Sequence, residues 1–114
     1  MVDQNRILDF LKQNLSHRRY EHSLNVSMTA ERLAKLYGCD IYKAKLAGMV
    51  HDCAREMDKE ILIRYIKEEG IAADDITLSV RELLHGPAAV HICRSIFDIQ
   101  DEDVLNAVRY HTTG

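Results

Sequence analysis

Apolar residues recur at helical spacing through almost the whole chain and leave little room for any other structure. Ile7, Leu8, Leu11 and Leu15 follow the three- and four-residue steps that place side chains on one face of a helix. One proline and five glycines in 114 residues give few breaks, and no alternating strand pattern or repeat is present. The sequence predicts an all-α fold of about six helices in a single domain.

Capping residues mark most of the expected helix boundaries. Ser16, Asp40 and Asp58 each precede a periodic segment, as N-caps do. Gly38 and Gly70 each follow one, where glycine accepts the left-handed conformation. The expected helices cover residues 3–15, 17–37, 41–54 and 59–69, a short piece ending near 84, then 87–97 and 101–111.

Gly86-Pro87 is predicted to separate two helices, with residues 71–78 forming an earlier loop. Proline is tolerated in the first turn of a helix but disrupts its interior. His85 would then lie at a helix break.

The second helix is expected to turn two sets of residues inward. Its predicted core residues are Leu24, Met28 and Tyr37. His22 precedes Val26, Thr29 and Leu33 by four, seven and eleven residues, which predicts that it lies at the inner start of the helix.

Charge and cysteine content exclude several classes of protein. A net charge of −3 provides no attraction to nucleic acid or an anionic membrane, so neither is an expected partner. No apolar run approaches the roughly 18 residues of a membrane span, and the first residues lack a signal pattern. Cys39, Cys53 and Cys93 indicate reduced thiols in a cytoplasmic protein, each interpreted as a small buried apolar residue.

Four histidines and one aspartate are predicted to converge on a ligand: His22, His51, Asp52, His85 and His111. For any one of these histidines alone, an ordinary core residue remains the alternative. A buried imidazole without a partner costs free energy, so convergence of four favours a bound ion. Imidazole with a single carboxylate suits zinc, iron or manganese.

His51 and Asp52 could hold metal in two ways. Neighbouring residues on a helix point about 100° apart, so the two side chains could grip one ion from two sides. Alternatively, Asp52 could bridge two ions, an arrangement that hydrolyses phosphate esters and anhydrides.

Four short segments resemble a known family. They are RYEHS at 19–23, HDCARE at 51–56, LHGP at 84–87 and RYHTTG at 109–114. In this order they are similar to the HD-domain superfamily of metal-dependent phosphohydrolases, and within it to the YqeK-like symmetrical bis(5′-nucleosyl)-tetraphosphatases. The resemblance covers essentially the whole chain, so residues 1–114 are interpreted as the N-terminal and central part of an HD domain.

The resemblance implies a di-metal centre. His22, His51 and Asp52 would hold one ion, and Asp52, His85 and His111 a second. Two iron ions are expected, with manganese or zinc as other divalent transition metals that fit. The implied reaction is hydrolysis of diadenosine tetraphosphate to two molecules of ADP.

The resemblance also suggests roles in catalysis and substrate binding. Asp52 and Arg55 are the expected catalytic residues, and the substrate is a dinucleoside polyphosphate or another nucleotide. The expected phosphate-binding residues are Arg19, Arg55, Arg109, Thr112 and Thr113, since arginine matches phosphate oxygens with a planar fork. His17 and His91 match no family position and are interpreted as non-ligands.

Members of this family continue beyond the Thr-Thr-Gly segment, and a later aspartate there completes the first metal's ligand set. This chain lacks that residue, so a non-catalytic helical module that binds nucleotide or metal is one alternative. An HD-type di-iron oxygenase is another, because a related ligand order also supports di-iron oxygenases. Uncovered helix faces would favour a homodimer.

Overall fold

The structure is a computed structural model that describes residues 2–70 and 81–110. Within these ranges it contains six helices and no strand, which confirms the all-α prediction. The helices are α1 (Gln4–Asn14), α2 (His17–Tyr37), α3 (Ile41–Val50), α4 (Lys59–Glu68), α5 (Arg81–Ser95) and α6 (Glu102–Tyr110). None of them combines the length and apolar character that crossing a bilayer requires.

Local capping begins and ends the first helices as predicted. The Ser16 hydroxyl accepts a hydrogen bond from the Arg19 amide at 3.3 Å, and the Asp40 carboxylate accepts one from the Lys43 amide at 3.0 Å. Gly38 ends α2 in the left-handed region with φ of 72°. These boundaries depend on residues close in sequence, so the sequence predicts them well.

The core is built from apolar residues of several helices. Its largest fully buried side chains include Ile7 and Leu11 of α1, Leu62 and Ile66 of α4, Ile92 of α5, and Val104, Leu105 and Val108 of α6. The rings of Phe10 and Phe97 meet edge to face at 5.1 Å between centroids. The predicted apolar face of α1 is confirmed.

The third helix is shorter than predicted. It ends at Val50, not near Ala54, and residues 51–56 form turns. Here the Cys53 and Arg55 amides donate to carbonyls three residues back, at 3.1 and 2.9 Å, so the chain tightens out of the α-helix. Because Cys53 and Ala54 are still fully buried, the apolar pattern continues past the helix end and could not reveal it.

The predicted break at Gly86-Pro87 is wrong, because α5 passes through both residues. His85 therefore lies inside a helix. An interior proline removes one backbone donor and crowds the preceding turn, at a cost of about 3 kcal/mol. The segment is deeply packed, with Ala88, Ala89 and Val90 fully buried, and this tertiary burial offsets the local cost.

The inward face of α2 also differs from the prediction. Met28 and Tyr37 are 54% and 74% exposed, and His22, Thr29 and Leu33 are exposed too.

The buried side chains of α2 are small instead: Ser23, Ser27 and Ala34. The reason is close contact with α3. A Cβ added to Gly48 would meet the Ser27 Cα at 3.0 Å and the Val26 carbonyl oxygen at 3.1 Å. At this separation of backbones, large side chains do not fit between the helices.

All three cysteines are free, and Cys53 and Cys93 are buried as predicted. Cys39 is exposed, which corrects its interpretation as a buried residue, because it directly follows the helix end at Gly38.

Lys43 of α3 is held near α6, 3.1 Å from Asp101 and 2.9 Å from Asp103.

Replacing Gly48 with alanine tests the close contact of α2 and α3. Alanine gains about 1 kcal/mol in helix propensity, but overpacking against a backbone costs about 1–3 kcal/mol. We expect Gly48→Ala to lower the free energy of unfolding in urea. Gly38→Ala is the comparison, since its cost comes from a positive φ with no atom within 4 Å. A Gly48→Ala protein at least as stable as the parent would contradict the contact.

The ion pairs of Lys43 predict a dependence on pH. A hydrogen bond from Lys43 is the main reason that the pKa of Asp101 lies below its usual value. A lowered pKa in the folded state stabilises the fold above the usual aspartate pKa, and this contribution is lost as pH falls through the lowered value. Thermal denaturation should therefore show Lys43→Met less stable than the parent at neutral pH, with the difference shrinking as the pH falls through the lowered pKa of Asp101. Lys59→Met, at an exposed position, should show no such difference. A Lys43 difference that stays constant with pH would contradict the assignment.

Candidate metal centre

Three of the predicted ligands lie together where α2 crosses the end of α3. His22 is on α2, and His51 and Asp52 begin the turn after α3. One ligand atom from each of the three lies within 4.8 Å of the others. The rings of His22 and His51 are 5.7 Å apart between centroids.

A backbone contact fixes the orientation of His51. Its Nδ1 lies 2.7 Å from the Gly48 carbonyl oxygen, which can only accept a hydrogen bond, so Nδ1 carries the proton. The other ring nitrogen, Nε2, lies 3.5 Å from Asp52 Oδ1. In metal-binding histidines the ring nitrogen that does not bind the metal typically makes a hydrogen bond of this kind, which sets both the tautomer and the direction of the ring.

Asp52 is a buried carboxylate surrounded by cationic groups. It is 1% exposed, Arg19 donates to its Oδ2, and Arg55 Nη1 lies 3.7 Å from its Oδ1. Burial alone would raise its pKa, but His51, Arg19 and Arg55 outweigh burial, and the pKa of Asp52 lies below its usual value. The carboxylate is therefore ionised at neutral pH, as a metal ligand must be.

A carboxylate from the turn anchors the start of α2 to this site. Glu56 Oε1 accepts a hydrogen bond from the Ser16 amide at 2.7 Å. The contact joins the N-terminus of the helix that carries His22 to the turn that carries His51 and Asp52. This role of Glu56 was not predicted from the sequence, since the two residues are 40 positions apart and no local pattern connects them.

Arg19 was predicted to bind substrate, and its contact with Asp52 was not predicted. Arg19 lies one turn before His22 on α2. That spacing alone would have placed it beside the proposed ligand and, therefore, near the carboxylate. A role of Arg19 toward substrate stays a prediction.

The remaining predicted site residues are placed as follows. His85 is buried in α5, with 4% exposure, and is not part of the three-residue group found among the described residues. Arg55 is exposed, and Arg109 donates to the Asn106 side chain at 2.7 Å. His111, Thr112 and Thr113 lie outside the described residues.

The two histidines interpreted as non-ligands have other partners. His17 Nε2 lies 3.0 Å from Glu21. His91 lies 3.0 Å from Glu68 and 3.1 Å from Glu69. Neither belongs to the group around Asp52.

The donor set of the group fits a divalent transition metal. Two imidazoles and one carboxylate are ligands that iron, zinc and manganese accept, whereas calcium and magnesium prefer oxygen alone. The ionised carboxylate and the oriented His51 meet the chemical requirements of such a site.

Fold and site together define an all-helical domain with a candidate histidine–aspartate metal site. The chain belongs to the HD domain family, whose model matches residues 19–114.

Three comparisons give the family relationships. The chain is 42% identical over 113 residues to a symmetrical bis(5′-nucleosyl)-tetraphosphatase from Halalkalibacterium halodurans, covering 99% of this chain and 60% of the relative. It is 35% identical over 113 residues to the protein of the same name from Bacillus subtilis, with the same coverage. A crystal structure of a predicted HD superfamily hydrolase involved in NAD metabolism, from Clostridium acetobutylicum, matches with a TM-score of 0.94 and 44% identity. That match covers 100% of this chain and 60% of the other. The chain thus spans three-fifths of the length of these relatives.

Replacing Arg19 tests the electrostatics of the site. Arg19→Met keeps most of the aliphatic packing but leaves the buried Asp52 carboxylate with fewer cationic neighbours. We expect the metal-free protein to lose about 1–3 kcal/mol in its free energy of unfolding. The matched control is Arg18→Met, at an exposed neighbouring position, which should stay within about 0.5 kcal/mol of the parent. Equal stability of the two variants would show that the Arg19 contact does not offset the cost of burying the Asp52 carboxylate.

Proposed function

We propose that the protein to which this chain belongs is a metal-dependent hydrolase of dinucleoside polyphosphates. One water is added across the central phosphoanhydride of diadenosine tetraphosphate, and two molecules of ADP are released. The observation that carries the proposal is the convergence of His22, His51 and Asp52. The relatives from H. halodurans and B. subtilis are named symmetrical bis(5′-nucleosyl)-tetraphosphatases, which supports the proposed substrate.

The proposed metal ligands follow the sequence prediction. His22, His51 and Asp52 hold one ion, and Asp52 with His85 and His111 holds a second, with iron as the expected metal. Burial of His85 beside the packed segment of α5 suits an internal ligand. Bound metal of this kind supplies Lewis acidity and a hydroxide near neutral pH.

The protein's own residues orient and neutralise the reactants. Asp52 is held ionised, and the Gly48 carbonyl keeps the His51 ring in place. Arg19 and Arg55 bring two guanidinium groups to one carboxylate, which leaves an excess of positive charge that suits a polyphosphate. Arg55 is exposed at the rim of the site, where it is a proposed phosphate contact, and Arg109, Thr112 and Thr113 are further proposed contacts.

Metal content and ADP release test the proposal together. The parent chain, purified with iron, manganese or zinc present, should bind metal and release ADP from diadenosine tetraphosphate. Asp52→Asn should lose metal affinity and lower turnover by at least about a hundredfold. NAD is assayed beside it, since the C. acetobutylicum relative is described as involved in NAD metabolism. We expect diadenosine tetraphosphate to be the better substrate.

A matched pair of histidine variants on α2 provides the control. His22→Ala should bind less metal, whereas His17→Ala should bind as much as the parent, because His17 pairs with Glu21 away from the group. If Asp52→Asn and the parent turn over equally, the proposed site is wrong. If the parent binds metal stoichiometrically without turnover, the chain is a binding module, the alternative drawn from the sequence.

A further inference from the structure

The start of α2 is capped from two directions. In a capping box, the N-cap hydroxyl accepts a hydrogen bond from the amide three residues on, and a Glu or Gln at that third position accepts one from the N-cap amide in return. The Ser16 hydroxyl makes the first bond, which it accepts from the Arg19 amide at 3.3 Å. Arg19 cannot make the second, because guanidinium nitrogens only donate. The Ser16 amide donates instead to Glu56 Oε1 at 2.7 Å, across 40 positions of the sequence.

This division leaves the Arg19 side chain available to the candidate metal centre. Its guanidinium donates to Oδ2 of Asp52, a residue that is 1% exposed. A glutamate at position 19 would complete the capping box locally, but it would place a second carboxylate beside the buried one, and like charges at one site are unfavourable. Glu56, which is exposed, supplies the acceptor for the Ser16 amide, so a cation can stay beside Asp52.

Glu56 belongs to the turn of residues 51–56, which also carries two of the proposed ligands. Within this turn the Arg55 amide donates to the Asp52 carbonyl at 2.9 Å, and Cys53 is fully buried. The backbone of Glu56 is therefore fixed relative to Asp52. Whatever the Glu56 carboxylate binds is held at a defined distance from the site.

Two contacts hold α2 on either side of His22. Five residues after it, the backbone at Ser27 packs against Gly48. Six residues before it, Ser16 is held by Glu56. A helix held at one point can pivot about that point, whereas two points fix its direction. The direction of α2 in turn sets how far His22 lies from the turn that carries the other ligands.

We propose that Glu56 is a positioning residue of the candidate metal centre. Its hydrogen bond to the Ser16 amide sets the distance between the start of α2 and the turn, and so the distance between His22 and the His51-Asp52 pair. Glu56 is not one of the proposed ligands and is not a proposed substrate contact. The inference rests on the proposed function, because it takes these three residues as metal ligands.

Substitutions of Glu56 separate its hydrogen bond from its charge. Glu56→Gln keeps an acceptor oxygen at the same reach and removes the charge, whereas Glu56→Asp keeps the charge on a side chain one methylene shorter. Glu56→Ala removes both. Each protein is titrated with cobalt(II), an ion that accepts imidazole and carboxylate ligands and whose visible absorption reports their geometry. Circular dichroism verifies the fold of each protein.

We expect Glu56→Ala and Glu56→Asp to bind cobalt(II) at least about tenfold more weakly than the parent, with altered absorption bands. Glu56→Gln should bind as the parent does. If Glu56→Asp binds like the parent and Glu56→Gln like Glu56→Ala, the charge matters and the hydrogen bond does not, which would overturn the proposal. Equal affinity in all four proteins would overturn it too.

Ser16→Ala provides the matched control at the same junction. It removes the hydroxyl cap but keeps the backbone amide that donates to Glu56. We expect a lower urea midpoint of unfolding, since an N-cap is lost, with the cobalt(II) affinity unchanged. If Ser16→Ala weakens cobalt(II) binding as much as Glu56→Ala does, Glu56 acts only through the stability of the helix start, and the positioning role is wrong.

A readout without metal keeps this inference separate from the proposed function. The rings of His22 and His51 lie 5.7 Å apart between centroids, so NMR of the metal-free protein should show an NOE between their ring protons. We expect Glu56→Ala and Glu56→Asp to weaken this NOE and Glu56→Gln to retain it. A parent that binds no cobalt(II) would count against the proposed function, and the NOE would still decide the role of Glu56. An NOE of equal strength in all four proteins would contradict the inference.

Discussion

The contact between Gly48 and the backbone of Ser27 is the constraint on which the rest of the structure depends. The two helices approach so closely there that a single Cβ would meet backbone atoms at 3.0 Å. This separation brings α2 against the end of α3, so that His22 lies beside His51 and Asp52. The Gly48 carbonyl also orients the His51 ring. One glycine thus sets the distance between the helices and the direction of a ligand, which links packing to chemistry at a single residue.

Burial of Asp52 makes the site electrostatically demanding. An isolated carboxylate at 1% exposure would lose most of its hydration, at a cost that neutralisation would normally relieve. Here Arg19 bonds it directly, and Arg55 and His51 lie within 4 Å. The cationic surroundings keep the group ionised and extend beyond it, since two guanidinium groups face one carboxylate. Asp52 is thereby kept in the ionised form, which is the form in which a carboxylate can act as a metal ligand.

Features that depend on residues close in sequence could be predicted, whereas features that depend on long-range contacts could not. The caps at Ser16, Gly38 and Asp40 were predicted because each depends on residues within one turn. The continuous helix through Pro87 was not, because its stability comes from burial against the rest of the core. The grouping of His22 with His51-Asp52 was predicted from the residue types and from the family resemblance. The anchor from Glu56 to Ser16 was beyond reach, since nothing in the sequence indicates a contact across 40 positions.

The error at α2 carries the most information about the protein. The stripe that includes Val26 and Leu33 has the spacing of a buried face, and it was predicted to face the core. Within the described residues the buried face is the small one through Ser23 and Ser27, and Leu33 stays 48% exposed. Helical spacing of apolar residues predicts that one side of a helix is buried, but it does not identify what buries that side. Apolar spacing alone therefore could not decide between the side of α2 that packs on α3 and the side that stays exposed.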